Sequence, residues 1–379
     1  MKLKPKLTIA DYFNDLDDPR VERTKRHQLI DIITIALLAI ICGADGWVSI
    51  ETYGQAKYHW LKEFLELPNG IPSHDTFSRV FSRLNPQQFQ QCFLDWIQSI
   101  HQSTQGEVVA IDGKTLRRSY ETGANLGAIH MVSAWATANR LVLGQVKVDQ
   151  KSNEITAIPE LLKVLDLAGC IVTIDAMGCQ KEIVKLIDAQ KADYIITLKK
   201  NQKSLYERVE HLFKSAIASQ FSGVSVSRYS SREVSHGREE IRHYLMLCNI
   251  RDQVDPLHQW SNLNSVGLVE SVRTVDGKTT VETRYYLSSL THDAQLMGQS
   301  VRSHWGIENQ LHWVLDVALR EDDCRIRKDN SPHNLAILRQ IALNLLGREK
   351  SLKVGVKNKQ FRAAMDNDYL LKVLTTLER

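Results

Sequence analysis

Apolar positions in the first hundred residues recur at helical spacing. Ile30, Ile33, Leu37 and Ile40 share one face, Gly43 and Gly46 interrupt it, and Val48 to Leu65 resumes the pattern until Pro68-Asn69-Gly70-Ile71-Pro72 ends it. Residues 8–100 are therefore expected to form an all-helical N-terminal domain. Within it, Ser73 can cap a helix that carries Phe77, Val80, Phe81 and Leu84 on one side and Arg79 and Arg83, four apart, on the other. A short amphipathic helix entered through a tight turn resembles the second helix of a helix-turn-helix, which would make Arg79 and Arg83 candidates for DNA contact. The solvated face of an ordinary helix fits the same pattern.

From Gly106 the spacing changes to that of strands: Val108–Ile111, Ile129–Thr137 and Leu141–Val148, the last two joined by a hairpin at Asn139-Arg140. A helix from Glu154 to Leu165, entered through Ser152-Asn153, leads to a strand at Ile171–Ile174. A helix at Lys181–Gln190 and a strand at Tyr194–Leu198 follow. Three strands, then helix, strand, helix, strand is the order of a ribonuclease H-like α/β layer, expected over residues 105–346. In that order the first and fourth strands are neighbours. A helix from Ser204 to Ala218 precedes a β-rich insertion at about 220–290, with segments at Arg242–Asn249, Val266–Val272 and Thr280–Ser288 and a hairpin turn at Asp276-Gly277. Residues 347–379 are expected to form a basic helical tail.

Two of these strands end on a carboxylate. Val108–Ile111 runs into Asp112-Gly113-Lys114, and Cys170–Ile174 runs into Asp175, with Gly178 close behind. An acid at the end of a buried strand loses hydration that something else must replace, although Asp-Gly is also a common turn dipeptide. Adjacent parallel strands place their carboxyl ends in one crevice. Asp112 and Asp175 would then repel each other unless a cation lay between them, and hard oxygen ligands suit Mg²⁺ or Mn²⁺. A third acid, Glu308, flanks the stripe Ile307, Leu311, Val314 and Ala318 of a helix over Val301–Asp316, with His304 one turn before it and His312 one turn after.

Composition narrows the class without deciding it. The 379 residues are 43% hydrophobic and 24% charged, enough for two or three soluble domains. The net charge of +4 is only mildly basic, so a nucleic-acid surface would have to come from local clusters. Six scattered cysteines without a Cys-x-x-Cys pair argue against zinc ribbons and disulfide frameworks. The apolar run Leu29–Cys42 is too short to span a bilayer, and the basic start lacks an adjoining apolar segment, so the expected location is cytoplasmic.

The motifs Ile111-Asp112-Gly113-Lys114, Thr173-Ile174-Asp175-Ala176-Met177-Gly178 and His304-Trp305-Gly306-Ile307-Glu308-Asn309, in that order, resemble those of DDE transposases. More narrowly, they resemble the H-repeat-associated insertion-sequence As1-type family. Lys151–Ile155, Lys199–Gln202 and Arg302–Asp316 match further stretches of that family, so the resemblance covers about residues 10–375. It implies a ribonuclease H-like catalytic domain with a helical associated domain. It also implies that Asp112, Asp175 and Glu308 are the catalytic triad and hold two Mg²⁺ or Mn²⁺ ions. The implied activity is metal-dependent cleavage and strand transfer at element ends. The implied partner is double-stranded DNA, at element ends and target, with a homo-oligomer assembled on it. Related enzymes surround the glutamate with Tyr, Arg and Lys; Val301, His304 and Leu315 stand at those places here. His304 would then have to act as an imidazolium to replace the arginine. Phosphate contacts are otherwise sought among Lys114, Arg117, Lys199, Lys200, Arg302, Arg325 and Arg327, with Arg348–Arg362 as a further basic stretch.

Other readings are weaker. Zinc held by His304, Glu308 and His312 on one helix would need both histidines to reach one ion across ~12 Å of axis. Two carboxylates could hydrolyse glycosides, but no sugar-stacking aromatic cluster accompanies them. A nuclease without strand transfer, or an inactive DNA-binding descendant of a transposase, fits the same motifs.

Overall fold

A computed structural model describes residues 8–101, 105–120, 127–148, 153–235 and 237–375. One nine-stranded sheet organises it, in the order β3-β2-β1-β4-β5-β9-β8-β7-β6. The strands are β1 Val108–Leu116, β2 Ile129–Ala136, β3 Leu141–Val148, β4 Ile171–Ile174, β5 Asp193–Leu198, β6 Ser225–Ser235, β7 Arg238–Cys248, β8 Ser265–Val275 and β9 Lys278–Ser288. β1 pairs antiparallel with β2 and parallel with β4, and β4 pairs parallel with β5. This is the ribonuclease H-like order, and the expected neighbours are in place.

The β-rich insertion does not stand apart. β9 pairs antiparallel with β5, Ile195 opposite Ser288, so β6–β9 continue the same sheet as a meander. Asp276 and Gly277, both at positive φ (49° and 74°), make the β8–β9 turn, the backbone that a two-residue hairpin of matching twist requires. The sequence pattern passes over β6, because most of its side chains are half-buried or exposed.

The helical domain departs from expectation in two places. The Val48–Leu65 segment breaks into Trp47–Ala56 and a short turn at Tyr58–Leu61. The His74–Arg83 helix forms, but twelve residues, 62–73, separate it from that turn, where a helix-turn-helix allows three or four. Ser73 occupies the N-cap position with its hydroxyl on Thr76 Oγ1 at 3.2 Å, while Glu51 accepts from the His74 N–H at 2.8 Å. A carboxylate thus covers the amino end of this helix. Ser152, the other expected cap, lies outside the described residues; Asn153 accepts from Ile155 N at 3.0 Å.

Helix Ser331–Arg348 ties the two regions together. Every residue from Ser331 to Leu346 is buried, including the polar Ser331, His333, Asn334, Arg339, Gln340 and Asn344. It packs on helices Leu29–Ile41, His74–Arg83 and Pro86–Ile100 on one side and on β3 on the other. Two of its polar side chains, Asn334 and Asn344, satisfy backbone groups of those neighbours. Asn334 Nδ2 donates to Phe81 O and Leu84 O at 2.8 and 3.0 Å. Asn344 accepts from Val142 N at 2.8 Å and donates to Val142 O at 3.0 Å, completing the outer edge of β3 as a tenth strand would. Asn344→Leu leaves both Val142 groups buried and unpaired, which costs about 2–6 kcal/mol at ~1–3 kcal/mol per group. A urea titration should show that loss with cleavage chemistry unchanged at low temperature; an unaltered midpoint would mean that the edge finds other partners.

The last helices, Val356–Met365 and Asn367–Thr375, fold back onto the N-terminal domain: Gln360 donates to Ile40 O at 3.1 Å and Lys57 to Asn367 Oδ1 at 2.7 Å. Lys359 is buried and donates to Leu346 O at 2.9 Å and to Glu349 O. It closes the carboxyl end of the long helix and is withdrawn from any basic surface.

Candidate active site

The β1–β4 ladder ends with Ile111 opposite Ile174, so Asp112 and Asp175 are the next residue on each strand. Asp112 is still within β1, which continues to Leu116; the Asp-Gly pair is part of a strand and not a turn. Gly113 is required there. A Cβ at this position would collide with the His130 ring and the Glu154 carboxylate, which hydrogen-bond to each other at 2.7 Å beneath it. Asp175 Oδ1 accepts from Met177 N at 2.9 Å and Gly178 N at 3.4 Å. The loop after it is pinned from the end of β5: Asn201 donates to Ala176 O at 2.7 Å and Gln202 to Cys179 O at 2.8 Å. The Lys199–Gln202 motif thereby sets both the Asp175 loop and Lys199.

Glu308 reaches the same place from the other side. Helix Ala294–Gly306 crosses β1, β4 and β5, then widens into a π-helix at Ile307–His312 before Trp313–Val317 resumes α geometry. Such widened turns concentrate at functional sites. The extra width changes the buried stripe: past Leu311 it runs over His312, Leu315 and Leu319, while Val314 and Ala318 are only half-buried. His312 Nδ1 consequently faces two acids, 3.6 Å from Asp112 Oδ2 and 3.7 Å from Glu308 Oε2. The ligand atoms of these three residues lie within 4.8 Å of one another.

Asp112, Asp175, Glu308, His304, Lys199, Arg284 and Trp305 line one cavity of about 290 Å³. Burial, the Glu308 charge and the Asp175 charge push Asp112 up to about 8. Burial also raises Asp175, with Lys199 opposing, whereas His312 holds Glu308 below the usual carboxylate range. Asp112 and Asp175 disfavour their own ionisation without a counter-ion, and the ligand atoms of Asp112 and Glu308 converge with that of His312, although Asp175 is not in that group; this donor set fits divalent cations.

His304 does not become a substitute arginine. Its Nδ1 hydrogen-bonds Thr173 Oγ1 at 3.0 Å, and burial pushes its pKa down to about 4 despite the nearby Glu308 charge. Burial thus favours the neutral imidazole over the imidazolium. His304 is not among the residues whose ligand atoms converge with that of His312, which removes the two-histidine zinc arrangement.

The expected phosphate-binding cations divide into two groups. Lys114 is only 10% exposed and is surrounded by Asp316, Glu321 and Asp322 at 2.6, 2.9 and 3.5 Å; it is a structural tie, not a DNA contact. Arg302 pairs with Glu233 at 2.9 Å, and Arg117 with Asp322 at 3.3 Å. Arg327 donates to Arg118 O at 2.8 Å and lies over the Tyr120 ring. Lys199, Lys200, Arg325, Arg79 and Arg83 are exposed and have no ion pair among the described residues.

Residues 103–345 match the family described as the transposase DDE domain, and residues 10–97 match the DDE_Tnp_1-associated family. The chain therefore belongs to the DDE transposases. It is 41% identical to the H repeat-associated putative transposase YhhI of Escherichia coli (strain K12) over 97% of both chains, and 41% identical to the putative transposase YncI of Escherichia coli O157:H7 over 97% of this chain and 95% of that one. A 57-residue stretch is 44% identical to the inactive transposase YbfQ, covering 15% of this chain and 68% of that one. Among solved structures, the piggyBac transposase synaptic complex with hairpin DNA aligns over 97% of this chain and 77% of that chain, with a TM-score of 0.47 and 13% identity. Among the described residues no helix is long and apolar enough to cross a membrane.

Proposed function

We propose that this chain is the transposase of an insertion sequence and that it cuts and joins DNA strands at the ends of its own element, with Asp112, Asp175 and Glu308 holding two divalent ions. The observation that carries this reading is the meeting of Asp112 and Glu308, from elements 196 residues apart, at the end of the strand whose neighbour delivers Asp175. Such ions would polarise the attacking and leaving oxygens of an in-line displacement at phosphorus.

The protein's own groups supply the rest. Asp112, within β1, and Asp175, just past β4, bind from positions fixed by the ladder, and Asn201 and Gln202 keep the Asp175 loop from shifting. Lys199, exposed on the cavity rim, can meet a phosphate oxygen as a point charge. Trp305, 44% exposed, and Arg284, stacked on it at 5.5 Å, wall the opposite side of the cavity. Lys200 and Arg325 extend the phosphate-binding surface, and Arg79 and Arg83 offer a second one on the helical domain. A homo-oligomer on DNA and a cytoplasmic location belong to the same reading.

Joining separates a transposase from a simple nuclease. Incubation with DNA carrying the element's own ends, a supercoiled plasmid and Mg²⁺ should give nicks at the ends and then end-to-plasmid joints. Nicks without joints would leave a nuclease; end binding with neither product would leave an inactive descendant.

A further inference from the structure

The three-acid reading leaves one group at the site unexplained. His312 is buried to 7% exposure, in the π-helical turn that also carries Glu308, and its Nδ1 stands between two of the acids. At 3.6 and 3.7 Å these contacts are longer than N–H···O hydrogen bonds, which run ~2.7–3.2 Å. They approach the spacing of ligands around a common ion: two atoms each ~2.1 Å from a metal stand roughly 3.0–3.5 Å apart. Nε2 has no hydrogen-bond partner among the described residues. The other histidine of the cavity, His304, is not among the residues whose ligand atoms converge there.

We propose that His312 is a ligand of the divalent-metal site, its Nδ1 completing with Asp112 and Glu308 the coordination of one ion. This inference rests on the metal-dependent reading above and adds a nitrogen to a site otherwise made of oxygen. The consequence is a shift in metal preference. Magnesium favours oxygen donors and gives up its waters reluctantly, whereas imidazole suits transition-metal ions. The site should therefore bind Mn²⁺ more tightly than Mg²⁺, by more than carboxylates alone would give.

Pulsed electron paramagnetic resonance on the full chain with sub-stoichiometric Mn²⁺ reads the ligand directly. The expected result is the modulation of a directly bound imidazole ¹⁴N, replaced by the ¹⁵N pattern when the protein is made with ¹⁵N-histidine, which needs no substitution in the buried core. His312→Gln should abolish the nitrogen signal and weaken Mn²⁺ binding about tenfold or more, with a smaller change for Mg²⁺. Bound Mn²⁺ that is lost in Asp112→Asn but shows no nitrogen coupling would overturn the ligand role and leave the acid site standing. A nitrogen signal that survives in His312→Gln would assign another histidine. Failure of the wild type to bind Mn²⁺ at all would overturn both this inference and the reading beneath it.

Discussion

Asp112→Asn is expected to lower strand cleavage at element ends by at least about a thousandfold, a change of several kcal/mol in transition-state stabilisation, while end-DNA binding stays within a few-fold of wild type. The amide keeps the shape of the side chain and discards its charge, so it removes an ion ligand without opening a cavity. Stability should move the other way. Asp112 titrates near 8 in the folded protein against an ordinary 3.8. Between those values the native state holds a proton that the unfolded chain releases, so without metal the wild type loses stability as pH rises from about 4 to about 8. In EDTA at pH 8 the asparagine variant should unfold at higher temperature than wild type, and the difference should vanish near pH 4. Thermal scans at both pH values check this; a wild type whose stability is flat over the interval would mean that Asp112 is not the acid that burial and Glu308 disfavour.

Lys114→Met carries the second large effect, and it is on stability. Removing this ammonium leaves Asp316, Glu321 and Asp322 facing one another around a buried gap, with Glu321 only 4% exposed. Breaking a buried ionic cluster on one side costs about 3–5 kcal/mol. Because Lys114 is already neutralised, the dependence of DNA affinity on salt should keep its slope. A phosphate-contacting lysine would instead lower that slope by about one unit and leave folding nearly unchanged. Urea denaturation together with binding at several salt concentrations distinguishes the two roles.

Local pattern carried the sequence reading a long way. β1 to β5 and their helices are legible because each strand is a short apolar run between turn residues, and Asp276-Gly277 announces a hairpin whatever surrounds it. Strand order places Asp112 beside Asp175, and the order of elements sufficed to expect this; Glu308 joins Asp112 through a helix that crosses the sheet. What stayed hidden depends on partners far along the chain. β6 presents polar side chains at an outer edge and so lacks the alternation of a half-buried strand. The continuation of the sheet through β5 and β9 rests on Ile195 meeting Ser288, more than ninety residues away. Lys114 looks like a free cation beside an active-site aspartate until residues some two hundred positions later close around it. A wheel of 3.6 residues per turn cannot foresee a π-helical turn, and that turn is what brings His312 to the acids. The spacing of four between Glu308 and His312 was the available signal.

The sharpest test of the metal-holding triad is anomalous diffraction from crystals of the protein bound to its own element-end DNA and soaked in Mn²⁺. The account predicts anomalous density within bonding distance of the carboxylates of Asp112, Asp175 and Glu308, beside the terminal phosphate. Ordered DNA in the cavity with manganese absent from these three side chains, or bound to other residues, would contradict it.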